Sequence, residues 1–173
     1  VGNGSKEIQT RPVRVLSNVT SVSLGQSHSA AITGNGDLYC WGCNLNGIIG
    51  SGSKENEQTT PVKIKDRVKA VSLGKVSSAA VTEDGELYSW GSNFRGIAGS
   101  GTTARTKQST PLKILNNVAS VSIYSEHSAA VTKNGDLYCW GYNDSGRVGT
   151  GDTEDQGSPV RVLSGVTYAS VNW

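Results

Sequence analysis

Short β-rich runs of five or six residues alternate with breaks rich in glycine, asparagine and aspartate along the whole chain, which favours strands and tight turns over helices. Val19–Leu24, Val68–Leu73 and Val118–Ile123 read as the same strand of a recurring unit. A second strand at residues 29–33 reaches a turn at Asn35-Gly36, and a third follows at 37–41; the equivalent turns are Asp84-Gly85 and Asn134-Gly135. Asn-Gly and Asp-Gly between such runs predict type I′ hairpins, whose two central residues both need positive φ. A fourth strand is predicted to begin at each proline, as in residues 61–64, because proline suits a strand start or an edge. Four strands per unit result, with about fourteen strand segments in all.

Repetition at a fixed period outranks local propensity. Trp41, Trp90 and Trp140 are 49 and 50 residues apart, and each is followed by glycine, namely Gly42, Gly91 and Gly141. Pro12, Pro61, Pro111 and Pro159 keep the same beat. Between the anchors the glycines hold one spacing: Gly42, Gly47, Gly50, Gly52, then Gly91, Gly96, Gly99, Gly101, then Gly141, Gly146, Gly149, Gly151. Units of about 50 residues, each a four-stranded antiparallel meander, are what a propeller blade requires. The predicted fold class is therefore all-β, an incomplete β-propeller ring of about three to three and a half blades. A three-repeat solenoid is the alternative; near-constant loop lengths and a complete meander in each unit favour the propeller.

Counted from the prolines, the organisation is the end of a preceding repeat at 1–11, repeats at 12–60, 61–110 and 111–158, and the start of a further repeat at 159–173. Residues 1–20 align without a gap to 148–167, both carrying Pro-Val-Arg-Val-Leu-Ser. Three hairpins do not comfortably close a ring, and an open stack leaves sheet edges unsatisfied. Completion by further sequence or by identical chains is the expectation.

Composition narrows the partners. The 173 residues include 22 glycines, one Phe and no Met, and the missing initiator suggests a processed or excised chain. A net charge of +2 sets no strong overall field toward nucleic acid, which is not an expected partner, so any charged partner must meet a local patch. No apolar stretch approaches the roughly 20 residues of a membrane span, so membrane insertion is not expected. Three cysteines fit free thiols better than a disulfide framework. Cys40-Trp-Gly-Cys43 sits at a strand end, away from the helix N-terminus that lowers a redox thiol's pKa.

The recurring Trp41, Trp90 and Trp140 read as core plugs, and Gly36, Gly85, Gly135 and the Trp-Gly glycines as turn or framework residues. His28 and His127 share one phase with Ser77 between them, and no acid or second His recurs beside them, which favours structure over metal binding or catalysis. The glycine groups lack the Lys-Ser or Lys-Thr and the helix of a phosphate loop. No catalytic residue and no cofactor is expected. Arg14, Lys63, Lys113 and Arg161 each lie two residues after a proline; protection of an exposed edge is favoured over a ring of charges for phosphate or an acidic partner. Asp152, Glu154 and Asp155 lack the ordered ligands of a calcium loop and read as solvated.

Framework positions must repeat, whereas loop tips need not. The loop after each Trp-Gly keeps Asn44, Asn93 and Asn143, expected to stabilise the turn, while their neighbours change. Leu45, Phe94, Arg95 and Tyr142 are the predicted partner-binding residues, since exposed aromatic and Arg side chains are typical interface anchors.

These motifs resemble the regulator of chromosome condensation repeat family over essentially the whole chain. Residues 22–32 are similar to its glycine, two residues, histidine, small and aliphatic pattern; Asn35-Gly36, Tyr39, Trp41-Gly42 and the glycine group before Pro61 follow in family order. Ile48-Ile49, Ile97-Ala98 and Arg147-Val148 stand where the family often has Gln-Leu, Ser77 replaces the histidine, and Tyr124 replaces the glycine. The resemblance implies blades of a seven-bladed propeller. It also implies several function classes. The founder exchanges guanine nucleotide on a small GTPase through an inserted β-wedge, and no insertion of that length is found here; relatives serve as interaction modules. Fold alone does not choose between them. The expected function is a non-catalytic protein-interaction scaffold whose loops meet a protein partner, with self-association or the remainder of a longer chain completing the ring. A guanine-nucleotide exchange regulator of a small GTPase is the alternative.

Overall fold

The computed structural model describes residues 1–171, and residues 172 and 173 of the expected 159–173 unit lie outside the described residues. Strands β1 (Val19–Leu24), β2 (His28–Thr33), β3 (Leu38–Cys43) and β4 (Glu57–Lys65) pair in that order as one antiparallel sheet. The second sheet holds β5 (Val68–Leu73), β6 (Ser77–Thr82), β7 (Leu87–Ser92) and β8 (Lys107–Leu115). The third holds β9 (Val118–Ile123), β10 (His127–Thr132), β11 (Leu137–Gly141) and β12 (Gln156–Leu163). The three sheets are blades of an incomplete propeller.

The first strand of each blade spans the predicted residues, but three expectations need correction. Pro61, Pro111 and Pro159 lie inside β4, β8 and β12 instead of starting them. Each of these strands pairs on one side only, and each proline falls at or beside an interruption in the register with the third strand, so no ladder bond is lost to the missing N–H. Twelve strands form among the described residues, not fourteen: residues 1–18 and 164–171 contain no strand, since neither segment carries a hairpin of its own to complete a ladder.

The hairpins are also not type I′. Only the glycines Gly36, Gly85 and Gly135 have positive φ, at 77°, 88° and 81°, while Asn35, Asp84 and Asn134 do not. The Gly36 N–H donates to Thr33 O and the Thr33 N–H to Asp37 O, closing a three-residue loop in which the last residue is left-handed.

Two apolar layers join the blades. Ile32, Leu38, Cys40 and Ile49 meet Val68, Leu73 and Trp90 in the first; Val81 and Leu87 meet Val118, Ile123 and Trp140 in the second. Polar bonds then lock each junction at both ends. On one side the Ile48 carbonyl accepts from Trp90 Nε1 (2.9 Å) and Ser78 Oγ (2.7 Å), and the Ile97 carbonyl accepts from Trp140 Nε1 (3.1 Å) and Ser128 Oγ (3.4 Å). On the other, Gly36 O and Gly85 O accept from the first N–H of β5 and β9. Residues 1–18 imitate the end of a blade. Gly2 lies against the Trp41 indole as Gly50 and Gly99 lie against Trp90 and Trp140, where an added Cβ would come within 2.6, 2.7 and 3.1 Å of Nε1. On β1, Val22 and Leu24 are 64% and 75% exposed, whereas Leu73 and Ile123, the equivalents of Leu24, are buried against a preceding blade, and Val71 and Val121, the equivalents of Val22, are half-buried.

Candidate functional site

Strand alternation puts the loops between first and second strands, and between third and fourth, on one face of the blades; the tight hairpins occupy the other. On the first face each third strand runs into a loop pinned from within by asparagine. Asn93 Oδ1 accepts from the Ala98 N–H at 3.2 Å and its Nδ2 donates to Thr102 O at 2.8 Å, and Asn44 and Asn143 repeat this arrangement. These amides are buried, so the tips are rigidly presented.

Three of the four predicted contact residues come together. Phe94, Arg95 and Tyr142 line a groove of about 590 Å³ between the second and third blades. The Arg95 guanidinium lies 4.1 Å from the Tyr142 ring centroid and 5.3 Å from that of Phe94. Arg105 covers Phe94 at 5.5 Å and Arg147 covers Tyr142 at 4.8 Å, which makes a ladder of alternating cations and rings. Asp155 holds Arg95 at 3.3 Å, and Asp144 accepts from the Tyr142 hydroxyl and from Arg147. That hydroxyl bond holds the Tyr142 phenol above its usual pKa and the Asp144 carboxyl below its own. Leu45 is exposed but stands apart, in a second groove beside residues 1–7.

The other singled-out groups are absorbed by the framework. Lys63, Lys113 and Arg161 bond Asp37, Glu86 and Asp136, each just before the neighbouring third strand, at 2.7, 2.6 and 2.6 Å, and Arg14 donates to Ser17 Oγ. Asp152 Oδ1 accepts from Thr150, Asn143 and Glu154 within its own loop. No group of three or more His, Cys, Asp or Glu is placed to hold a metal among the described residues. Cys40, Cys43 and Cys139 are free thiols, and burial pushes Cys40 up to about 12 and Cys139 to about 11, far from a reactive thiolate. Among the described residues no helix is long and apolar enough to cross a membrane.

His28 is buried and reaches across the blade junction, with Nε2 2.8 Å from Ser78 Oγ. Because Ser78 gives its own proton to Ile48 O, His28 Nε2 carries the hydrogen, and Nδ1 is left buried without a hydrogen-bond partner among the described residues. Burial lowers the imidazole to about 4. The unfolded chain takes up the proton near 6.5 and the folded one resists until about 4. Stability is therefore complete above 6.5 and falls across that window as pH drops, by about 3 kcal/mol from this residue. Urea titrations of His28→Ser, which copies Ser77 of the next blade, are expected to show a shallower fall between these pH values; an unchanged slope would reject the assignment.

The groove also contains residues that loop reasoning passed over, above all Lys75, Arg105 and Lys107. Variation at a repeat position, applied to the loop between first and second strands, picks out Lys75 opposite Gln26 and Ser125. Arg105 precedes β8 and Lys107 opens it, and neither carries a pattern of its own.

Family comparison agrees with this geometry. The "Regulator of chromosome condensation (RCC1) repeat" model matches residues 35–81, 84–131 and 134–171, and a second model of the same description matches 19–48, 68–97 and 118–147. Among solved structures, human WBSCR16 is similar at 24% identity, with a TM-score of 0.75 over 92% of this chain and 45% of that one. A structure of Kap60 bound to yeast RCC1 (Prp20) is similar at 28% identity, with a TM-score of 0.76 over 87% of this chain and 38% of that one. Prp20p from Saccharomyces cerevisiae, described with its binding properties to Gsp1p and histones, gives 28% and 0.73 over 87% and 39%. The chain thus spans less than half the length of each. With three in-register matches and three blades of this geometry, the chain belongs to the regulator of chromosome condensation repeat family.

Proposed function

We propose that this chain is a non-catalytic protein-interaction scaffold that takes a protein partner on the loop face, through Phe94, Arg95 and Tyr142. The observation that carries the reading is the backbone of Arg95. It sits at φ 57°, a left-handed conformation that costs a non-glycine residue about 1 kcal/mol, where the first blade places Asn46. That geometry holds the guanidinium between two aromatic rings on a face bordered by solvent, the composition of an interface anchor. The yeast relatives are described with protein partners, which supports the same class of ligand here. Exposed Val22 and Leu24 on β1 further support a ring completed by other blades, from this protein or a second copy.

For a partner purified after affinity capture, joint replacement of Phe94, Arg95 and Tyr142 by alanine is expected to weaken binding about 100-fold or more with an unchanged melting temperature. Undiminished affinity would remove these residues as the site. The similarity to Prp20 favours nucleotide exchange on a small GTPase as a second reading. Accelerated nucleotide release from a GTPase panel would move the function to that reading.

A further inference from the structure

The groove bordered by Phe94 and Tyr142 holds more positive charge than its walls neutralise. Lys75, Arg95, Arg105 and Lys107 line it against one carboxylate, Glu126. Asp155 already engages Arg95, and Glu126 is shared with Arg147 at 3.3 Å. Lys75, Arg105 and Lys107 are exposed and have no carboxylate partner among the described residues. This concentration contrasts with the paired basic residues of the edge strands and with a net charge of only +2 for the chain. Between the charges the lining combines apolar Val76 and the buried Ile97 with Asn46, Ser92, Thr106 and Ser125.

The chemistry selects among anions. A backbone phosphate cradle is built from free N–H groups converging on one point. Here the N–H groups of the glycine turn are spent internally, Gly96 on Asn93 O, Ile97 on Phe94 O and Gly99 on Gly96 O. The unpaired cations instead come from two separate segments of the second blade, Lys75 in the loop before β6 and Arg105 and Lys107 where the chain enters β8, around Val76 and Ile97. Such a layout suits carboxylates spread along a chain with an apolar side chain between them.

We infer that this groove binds an extended acidic segment of a partner protein, seating an apolar side chain over Val76 and Ile97 while flanking Asp or Glu carboxylates meet Lys75, Arg105 and Lys107. The inference rests on the loop face being the partner-binding face and adds the chemistry of what binds there.

The test is fluorescence anisotropy with a labelled peptide of about ten residues carrying Leu between Glu and Asp. Binding is expected, weakening as salt rises. The exposed-residue variant Lys75→Glu/Arg105→Glu/Lys107→Glu should lose about 100-fold in affinity with its melting temperature retained. Absence of peptide binding, equal binding of the Gln/Asn analogue, full affinity in the reversal variant, or tighter binding of an oligothymidylate of matched charge would each overturn the inference. If the charge reversal changes nothing while alanines at Phe94, Arg95 and Tyr142 abolish binding of the purified partner, acidic recognition fails and the loop-face reading stands. If those alanines leave the purified partner bound at full strength, the loop-face reading itself fails.

Discussion

Trp90→Ala is expected to destabilise the protein by about 3–5 kcal/mol. The side chain is fully buried, fills the layer between the first and second blades, and donates to Ile48 O, so truncation removes apolar contact, leaves a void and deletes a bond. Void and bond can be separated. Trp90→Phe keeps most of the volume and should cost less, with about 1 kcal/mol of it from the lost bond to a carbonyl that Ser78 still satisfies. Trp41→Ala is the internal comparison: the same repeat position, only half-buried, against residues 1–18 instead of a full blade. Urea unfolding followed by circular dichroism reads all three. Equal losses at positions 41 and 90 would show that blade packing is not what the tryptophan secures.

Gly91→Ala should be nearly as damaging, at about 3–5 kcal/mol, because two penalties coincide. Its φ is 106°, a conformation L side chains rarely adopt. An added Cβ would also lie 2.6 Å from Val76 O and 2.8 Å from Ser77 Cα, both backbone atoms with no room to swing aside. Gly101 supplies the control, with φ 95° and nothing within 4 Å of an added Cβ. Gly101→Ala therefore carries the conformational cost alone, and the difference in midpoint between the variants measures the collision. A smaller effect at position 91 than at 101 would contradict the close approach of β6 and β7.

The blade was legible in the sequence because its inner strands bury side chains and its turns demand particular residues. Val19–Leu24, Val68–Leu73 and Val118–Ile123 could be read to the residue. The fourth strands could not, since residues 57–60 join β4 through backbone pairing while all four side chains are polar, which leaves no apolar pattern to read. Asn35-Gly36 announced a hairpin, yet only the sheet register decides that Gly34 joins the loop and makes it three residues long.

The site divides in the same way. Phe94, Arg95 and Tyr142 stood out because they break a repeat, whereas their meeting depends on blade stacking, which brings position 142 beside 94. Nothing local links Lys75 to Lys107 across 32 positions. Leu45 broke the repeat equally well and faces a different groove, because its blade lies one step further round.

The Ile97 carbonyl serves two masters. The Ile97 side chain lines the groove while its carbonyl oxygen is clasped by Trp140 and Ser128 of the next blade. The jaw that Phe94 and Arg95 form on one blade and Tyr142 on the other is therefore set to its gape by a bond inside the core. Scaffold and proposed recognition surface share a single joint, so a change that loosens the interior is expected to shift Phe94 and Arg95 against Tyr142 before it unfolds the protein.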